Sequence, residues 1–236
     1  MVATVINALA IVLGTGIGLL FGRRLGTSFR TVVFTAIGVA TILIGTSMAL
    51  QTQRMLLLVI SLVLGGLAGT GLHIEDGIYR LGEKIKRQVM RGGEPTGHHT
   101  FAEGFLVSSV LFCVGALAIL GSLQAGVEGD YQLLLTKSVM DGAMSILLTA
   151  AYGIGVGFSA LPVLLYQGAL TLLAGLLVPF MTPLMISEIS GVGGAMVVMI
   201  GLNLLELRTI KTADFLPALV LIVTFVALEP LVLQLL

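Results

Sequence analysis

The strongest constraint on this chain is the lack of charge along stretches of about twenty residues, such as "VATVINALAIVLGTGIGLLFG" at positions 2–22. A helix needs about 20 apolar residues to cross the hydrocarbon core of a bilayer. A water-soluble fold must instead clothe its core in polar groups, and soluble domains carry about 25% charged residues. Here only 10% of the 236 residues are charged and 57% are hydrophobic, too little polar material to cover a core of this size. The 31 glycines have no collagen period and suit membrane helices, where a missing side chain lets backbones approach closely. The expected fold is an all-α polytopic membrane protein, one integral domain over residues 1–236. Positions 1–22 lack a basic leading segment and so read as a retained first helix. The net charge of zero gives no reason to propose a nucleic-acid partner.

Eight transmembrane helices account for the pattern, near residues 2–22, 32–50, 55–73, 101–123, 138–158, 160–180, 191–206 and 215–235. Span five begins at Lys137–Ser138, which puts Asp141 about one turn inside it. Residues 181–193 break the apolar pattern with Pro183, Glu188, Gly191 and Gly193. They read either as a re-entrant or discontinuous helix, or as an extracellular loop before a short tilted span. Basic residues orient the arrangement. With eight spans, Arg23, Arg24, Arg30, Arg80, Lys84, Lys86, Arg87, Arg91, Arg208 and Lys211 share one side, and of the 12 basic residues only Arg54 and Lys137 fall near the other. The positive-inside rule makes the rich side cytoplasmic and puts both termini outside.

Residues 74–99 form the main polar interruption, expected as a cytoplasmic amphipathic helix and loop. Ile74, Ile78, Leu81, Ile85 and Val89 recur at helical spacing. Such a helix lies at the membrane surface, with Arg80, Lys84, Lys86 and Arg87 near anionic lipid headgroups, or packs on a partner or another loop. Echoes between "FTAIGVATILIGTSMAL" and "VGGAMVVMIGLNLL", and between "NALAIVLG" and "QGALTLLAG", relate span two to seven and span one to six. Matched spans five apart run in opposite directions, the mark of inverted repeats; glycines repeated for packing give the same echoes.

The polar residues inside the spans are few enough to examine singly. In span five Asp141, Ser145, Thr149 and Tyr152 follow spacings of four, four and three, so they share one helix face. Lys137, four residues before Asp141, is its plausible local partner. Span six offers Gln167 with Thr171 one turn on, span seven offers Asn203 near Glu206, and Glu188 lies in the interrupted stretch. Ionisable residues in membrane helices face protein or a wet cavity and mark solute or ion sites. Asp141, Ser145, Gln167, Glu188 and Asn203 are therefore the candidate substrate or ion residues; hydrogen bonding between helices is the competing account of each.

Chemistry of other kinds finds little footing. Glu94, His98, His99 and Glu103 resemble a metal set, but only His99 and Glu103 have one-face spacing, so no metal site is expected. Cys113 is alone, cannot form an internal disulfide and reads as a small buried hydrophobe. No phosphate-binding loop, zinc-protease spacing or local nucleophile triad occurs, so neither an enzyme nor a cofactor is expected.

Three stretches together resemble a known family. "FAEGFLVSSVLFCVGALAILGSLQAGVEGDYQLLLTKSVMDG", "GIGVGFSALPVLLYQGALTLLAG" and "EISGVGGAMVVMIGLNLLELRTIKTADFLPAL" are similar to the bacterial YdfK/YqgA-like integral membrane proteins, as is the opening "NALAIVLGTGIGLL". The likeness covers nearly the whole chain. It implies a multi-pass protein of the bacterial cytoplasmic (inner) membrane and brings no substrate, reaction or catalytic residue. Asp214 departs from the family pattern, where an asparagine is expected.

Two functions compete. A transporter of a small solute or ion requires Asp141, Gln167, Glu188 or Asn203 to converge on one cavity. A membrane scaffold or accessory subunit requires a packed helical core and a partner surface, with residues 74–91 a candidate. Self-association into a homo-oligomer is compatible with either.

Overall fold

The computed structural model describes residues 1–22, 27–89, 100–113 and 115–235. The helices are α1 (Val2–Gly22), α2 (Thr27–Ala49), α3 (Met55–Gly71), α4 (Ile74–Val89), α5 (Thr100–Cys113), α6 (Ala116–Val127), α7 (Gln132–Tyr152), α8 (Ala160–Leu172), the single turn α9 (Ala174–Leu177), α10 (Pro183–Leu204) and α11 (Leu216–Leu235). No strand occurs among the described residues. Four helical stretches are long and apolar enough to cross a membrane, and six if each of two bent helix pairs makes one crossing.

One of those four, Gln132–Leu172, contains both α7 and α8, and side-chain contacts show that the two fold back on each other. A straight helix would separate Asp141 from Gln167 by about 39 Å. Instead the amide nitrogen of Asn7 donates to Asp141 Oδ2 at 2.9 Å and to Gln167 Oε1 at 3.0 Å. Gly153 ends α7 in the left-handed region (φ 76°), and a 3-10 turn over Gly153–Ser159 reverses the chain. The first helix α1 fits against this hairpin. Its Asn7, Gly14 and Gly18 meet Asp141, Gly142 and Ile146 in rising order, so α1 and α7 run parallel. Thr15 and Asn7 meet Gly157 and Gln167 in falling order along α1, so α8 is antiparallel to both.

A second pair, α2 and α10, is antiparallel and meets backbone to backbone. A Cβ added to Gly45 would lie 2.8 Å from the Gly194 carbonyl oxygen, and one added to Gly194 would lie 2.6 Å from that of Gly45. Within lipid there is little hydrophobic drive between helices, so close packing of small residues supplies the adhesion. The third pair, α3 and α11, is also antiparallel, with Gly65 against Ala218 and Arg54 ion-paired to Glu229 at 2.7 Å. α10 is the central helix. Met196, Ile200 and Leu204 join the core shared with α1, α5 and α7, and Met185, Ile189 and Val192 join the core shared with α3, α6 and α11.

The helix boundaries depart from the hydropathy reading in three places. Residues 183–193 are neither re-entrant nor a loop but the first half of α10. Thr182 caps this helix by accepting from the Met185 backbone nitrogen at 3.1 Å, and Pro183 takes the first turn, where its missing N–H costs nothing. Gly191 packs on Thr52 and on Leu58 of α3, and Gly194 packs on α2. The stretch 101–123 is not one helix: α5 and the axis through Leu117–Val127 differ by 57°, with extended backbone at Gly115 (φ 159°, ψ 150°) between them. Finally, α7 starts at Gln132, so Asp141 lies about 14 Å into a helix about 30 Å long, near its middle rather than one turn inside. Helix α4 forms as expected through Val89. Its Ile78 and Tyr79 pack on the core, so part of its apolar face meets protein. Glu94, His98 and His99 lie outside the described residues.

Gly194→Val is expected to lower stability by about 2–3 kcal/mol, because its side chain meets backbone atoms of α2. Gly16→Ala, where nothing lies within 4 Å, should raise it by about 0.5–1 kcal/mol. Thermal unfolding of the detergent-purified variants checks both signs.

Candidate functional site

The face of α7 read from the sequence as a polar stripe is turned inward. Lys137, Ser138, Asp141, Ser145, Thr149 and Tyr152 are all buried, with Asp141 only 7% exposed. Asp141 Oδ2 accepts from the Lys137 ammonium one helical turn away and from Asn7 on α1. Lys137 also sits 6.0 Å above the ring of buried Phe112, next to the break between α5 and α6. On α8, Gln167 completes the cluster by accepting from the same Asn7 amide. Three helices thus meet at one ammonium, one carboxylate and two carboxamides.

The cluster is not saturated. Asn7 Oδ1, Gln167 Nε2 and, one turn back on α1, Thr4 Oγ1 are buried and have no hydrogen-bond partner among the described residues. All three residues are at most 1% exposed. A buried polar atom without a partner costs about 1–3 kcal/mol, and more where the surroundings cannot hydrogen-bond at all. Such atoms call for a water, an ion or a solute group. Asn7 was missed in the sequence reading. Its signal was available: a carboxamide in the otherwise apolar face Ala3, Asn7, Ile11, Gly14 and Gly18 of α1.

The other predicted residues do not join this cluster. Ser145 Oγ donates to the Asp141 backbone carbonyl at 2.7 Å, a bond within its own helix. Glu188 and Asn203 stand about 22 Å apart on α10, at opposite ends of the bundle. Glu188 is fully buried. Its Oε1 accepts from the backbone nitrogens of Gln53 and Arg54 at 2.6 and 3.0 Å, and its Oε2 from Thr52 Oγ1 at 2.5 Å. A carboxylate is thereby held on the positive N-terminus of α3, a structural cap. Asn203 mimics backbone instead: its amide donates to the Ile210 carbonyl and accepts from the Ile210 nitrogen, both at 2.8 Å, closing the loop after α10. At the same end, Asp214 Oδ1 accepts from the Glu75 nitrogen at 2.9 Å while Glu75 Oε2 accepts from the Ala213 nitrogen at 3.0 Å. Each acid caps the helical start that carries the other. No group of three or more His, Cys, Asp or Glu able to hold a metal occurs among the described residues.

Around this polar interior the outward faces are oily. Leu13, Leu20, Val139, Leu172 and Val220 are each more than 60% exposed, a surface suited to lipid and not to water. A helical bundle with apolar outer faces and an internal ion pair defines an integral membrane protein. The chain belongs to the DUF554 family, described as "Protein of unknown function", whose match covers residues 2–227. It is 31% identical over 225 residues to "Uncharacterized membrane protein YdfK" of Bacillus subtilis (strain 168), covering 94% of this chain and 93% of the relative. It is 29% identical over 216 residues to "Uncharacterized protein YqgA" of Escherichia coli (strain K12), covering 92% of each. No solved structure matches.

The Lys137–Asp141 pair gives a sharp energetic test. Lys137→Met, which strands a buried carboxylate, is expected to cost about 3–5 kcal/mol. Adding Asp141→Leu should recover most of that loss, since both charges are then gone. A double-mutant cycle from unfolding midpoints in detergent measures the coupling, and additive losses would show that the two charges do not interact.

Proposed function

We propose that this protein carries a small solute or ion across the bacterial cytoplasmic membrane through the Asn7–Lys137–Asp141–Gln167 cluster. The observation that carries the reading is a charged pair near the middle of α7, surrounded by carboxamide atoms that lack partners. A solute or hydrated ion would complete those atoms. The break between α5 and α6 lies beside Phe112 and the pair, and discontinuous helices are a recurrent way of opening a polar site inside a membrane. Exchange of the Lys137 ammonium for a transported cation, or protonation of Asp141, would release the pair and let the site change its access.

The topology we favour has eight crossings: α1, α2, α3, the broken pair α5–α6, α7, α8, α10 and α11. Helices in contact then alternate correctly: α1 is parallel to α7, and the pairs α1–α8, α2–α10 and α3–α11 are antiparallel. The same three antiparallel pairs are those an inverted repeat relates. "GVATILIG" at 38–45 and "GAMVVMIG" at 194–201 carry glycines at matching ends, and Gly45 meets Gly194 where the two helices cross. The termini are assigned outside and α4 to the cytoplasmic surface, with exposed Arg80 and Lys84 toward anionic lipid; the side chains of Lys86 and Arg87 lie outside the described ones.

A second reading, a non-transporting scaffold or accessory subunit, is favoured by one observation. Glu188 is held in a closed contact and Asn203 lines a cavity at the other end of the bundle, so neither converges with Asp141.

Purified protein in sealed vesicles, screened for solute-dependent flux with and without a proton gradient, separates the two. Asp141→Asn, with equal folded protein confirmed, is expected to abolish flux, whereas Glu188→Gln should lower stability and leave flux per folded protein intact. Absence of flux across a broad screen favours the scaffold. For topology, single cysteines at Gln51 and Thr209 in a Cys113→Ser background are labelled in intact cells with an impermeant maleimide. Only the Gln51 position should react before permeabilisation.

A further inference from the structure

A cavity of about 220 Å³ lies at the Asn203 end of the bundle, apart from the Asp141 cluster. Its polar wall includes Glu75 and Tyr79 of α4, Glu103 of α5, and Glu206 and Arg208 of the loop after α10, while Leu106 and Val107 of α5 supply an apolar wall. The loop is held in place. Asn203 clamps both backbone groups of Ile210, and Lys211 pairs with Asp76 of α4 at 2.9 Å. The cavity therefore has walls fixed before anything enters it.

Glu206 is the telling residue. The Glu206 nitrogen donates to the Asn203 carbonyl and the Leu207 nitrogen to the Leu202 carbonyl, at 2.9 and 3.1 Å, the bonds of a Schellman helix end. Glu206 occupies the left-handed position of that motif, at φ 55°, where glycine is the usual residue. A glutamate there carries backbone strain that glycine would avoid, and strain of this kind gathers at ligand clamps. Leaving Glu103 aside, Glu75 and Glu206 still outnumber Arg208, the only basic group among the described lining residues. Burial also pushes the Glu75 carboxyl above the ordinary carboxylate range, so a cation entering the cavity gains a partner that lacks full solvation.

We propose that this cavity binds a small organic ammonium ion, its charge between Glu75 and Glu206 and its hydrocarbon part against Leu106 and Val107. The apolar wall offers nothing to a fully hydrated metal ion and favours a cation with a carbon body. The site is independent of whether the chain transports.

The test is equilibrium dialysis of radiolabelled n-butylammonium against the full-length protein in detergent, with neutral butyramide as the comparison. One saturable equivalent of the ammonium per chain is expected, with no saturable binding of the amide. Glu206→Gln should weaken binding roughly tenfold, the loss of one charge-assisted contact. Arg208→Gln should tighten it several-fold, and Asp141→Asn should leave it unchanged. Glu206→Gly should melt at a higher temperature than the wild type while binding as weakly as Glu206→Gln. No saturable ammonium binding, equal binding of butyramide, or affinities unmoved by both Glu206→Gln and Arg208→Gln would each overturn the proposal. Loss of binding in Asp141→Asn would overturn the separation of the two sites.

Discussion

Lipid offers no hydrogen bonds, so every charged or polar group inside the bundle has to find its partner within the chain. The four buried carboxylates among the described residues answer this demand in different ways. Glu188 is met by the backbone nitrogens at the start of α3, and Glu75 and Asp214 each cap the helical start that bears the other. Asp141 alone is met by a side-chain cation, with a carboxamide from another helix. The first three solutions fasten elements together: α10 to the α2–α3 turn, and α4 to the start of α11. Both oxygens of Glu188 are met by donors around the start of α3, whereas Glu75 uses one oxygen, Oε2, on the Ala213 nitrogen.

An ammonium can leave. Lys137 sits on a flexible stem and can exchange its carboxylate for another anion or for water, whereas a helix N-terminus cannot move without unfolding. Asp141 is thus the buried acid, among the described residues, whose counter-charge is a side chain and not a helix start. Its position supports that distinction. α1 and α8 both reach it through Asn7, so a change in the pair is felt at once by three helices. The glycine contacts between α1 and α7 and between α2 and α10 set how closely those helices approach.

Much of this fold was legible in the sequence, because in a membrane the hydropathy of a helix is nearly its whole energetic description. The bounds of α1, α3 and α11 fall within two residues of the apolar runs at their ends. The errors share a cause. Pro183 and the glycines of α10 were read as interruptions, yet proline suits a first turn and glycine suits a crossing point, and only the neighbouring helix distinguishes these roles from breaks. Hydropathy starts span five at Lys137–Ser138, whereas α7 begins at Gln132 and holds Lys137 inside it, paired with Asp141. The inward stripe on α7 was readable from spacing alone. The partners of Glu188 and Asn203 were not, since capping and loop closure depend on which distant backbone groups are left unpaired.

Hydrogen bonding separates the polar residues more sharply than burial does. Glu188 and Gln167 are both at most 1% exposed, and burial ranks them together. Glu188 has three donors on its two oxygens, the full satisfaction expected of a structural cap. Gln167 keeps an unused amide nitrogen, and Asn7 an unused oxygen, beside the Lys137–Asp141 pair. Buried hydroxyls without a partner among the described residues also occur away from the cluster, at Thr41, Ser61, Ser122 and Ser190, so what sets Asn7 and Gln167 apart is that they adjoin the charged pair. At equal burial, the two carboxamides thus differ from Glu188 in how far their hydrogen-bonding capacity is met within the chain.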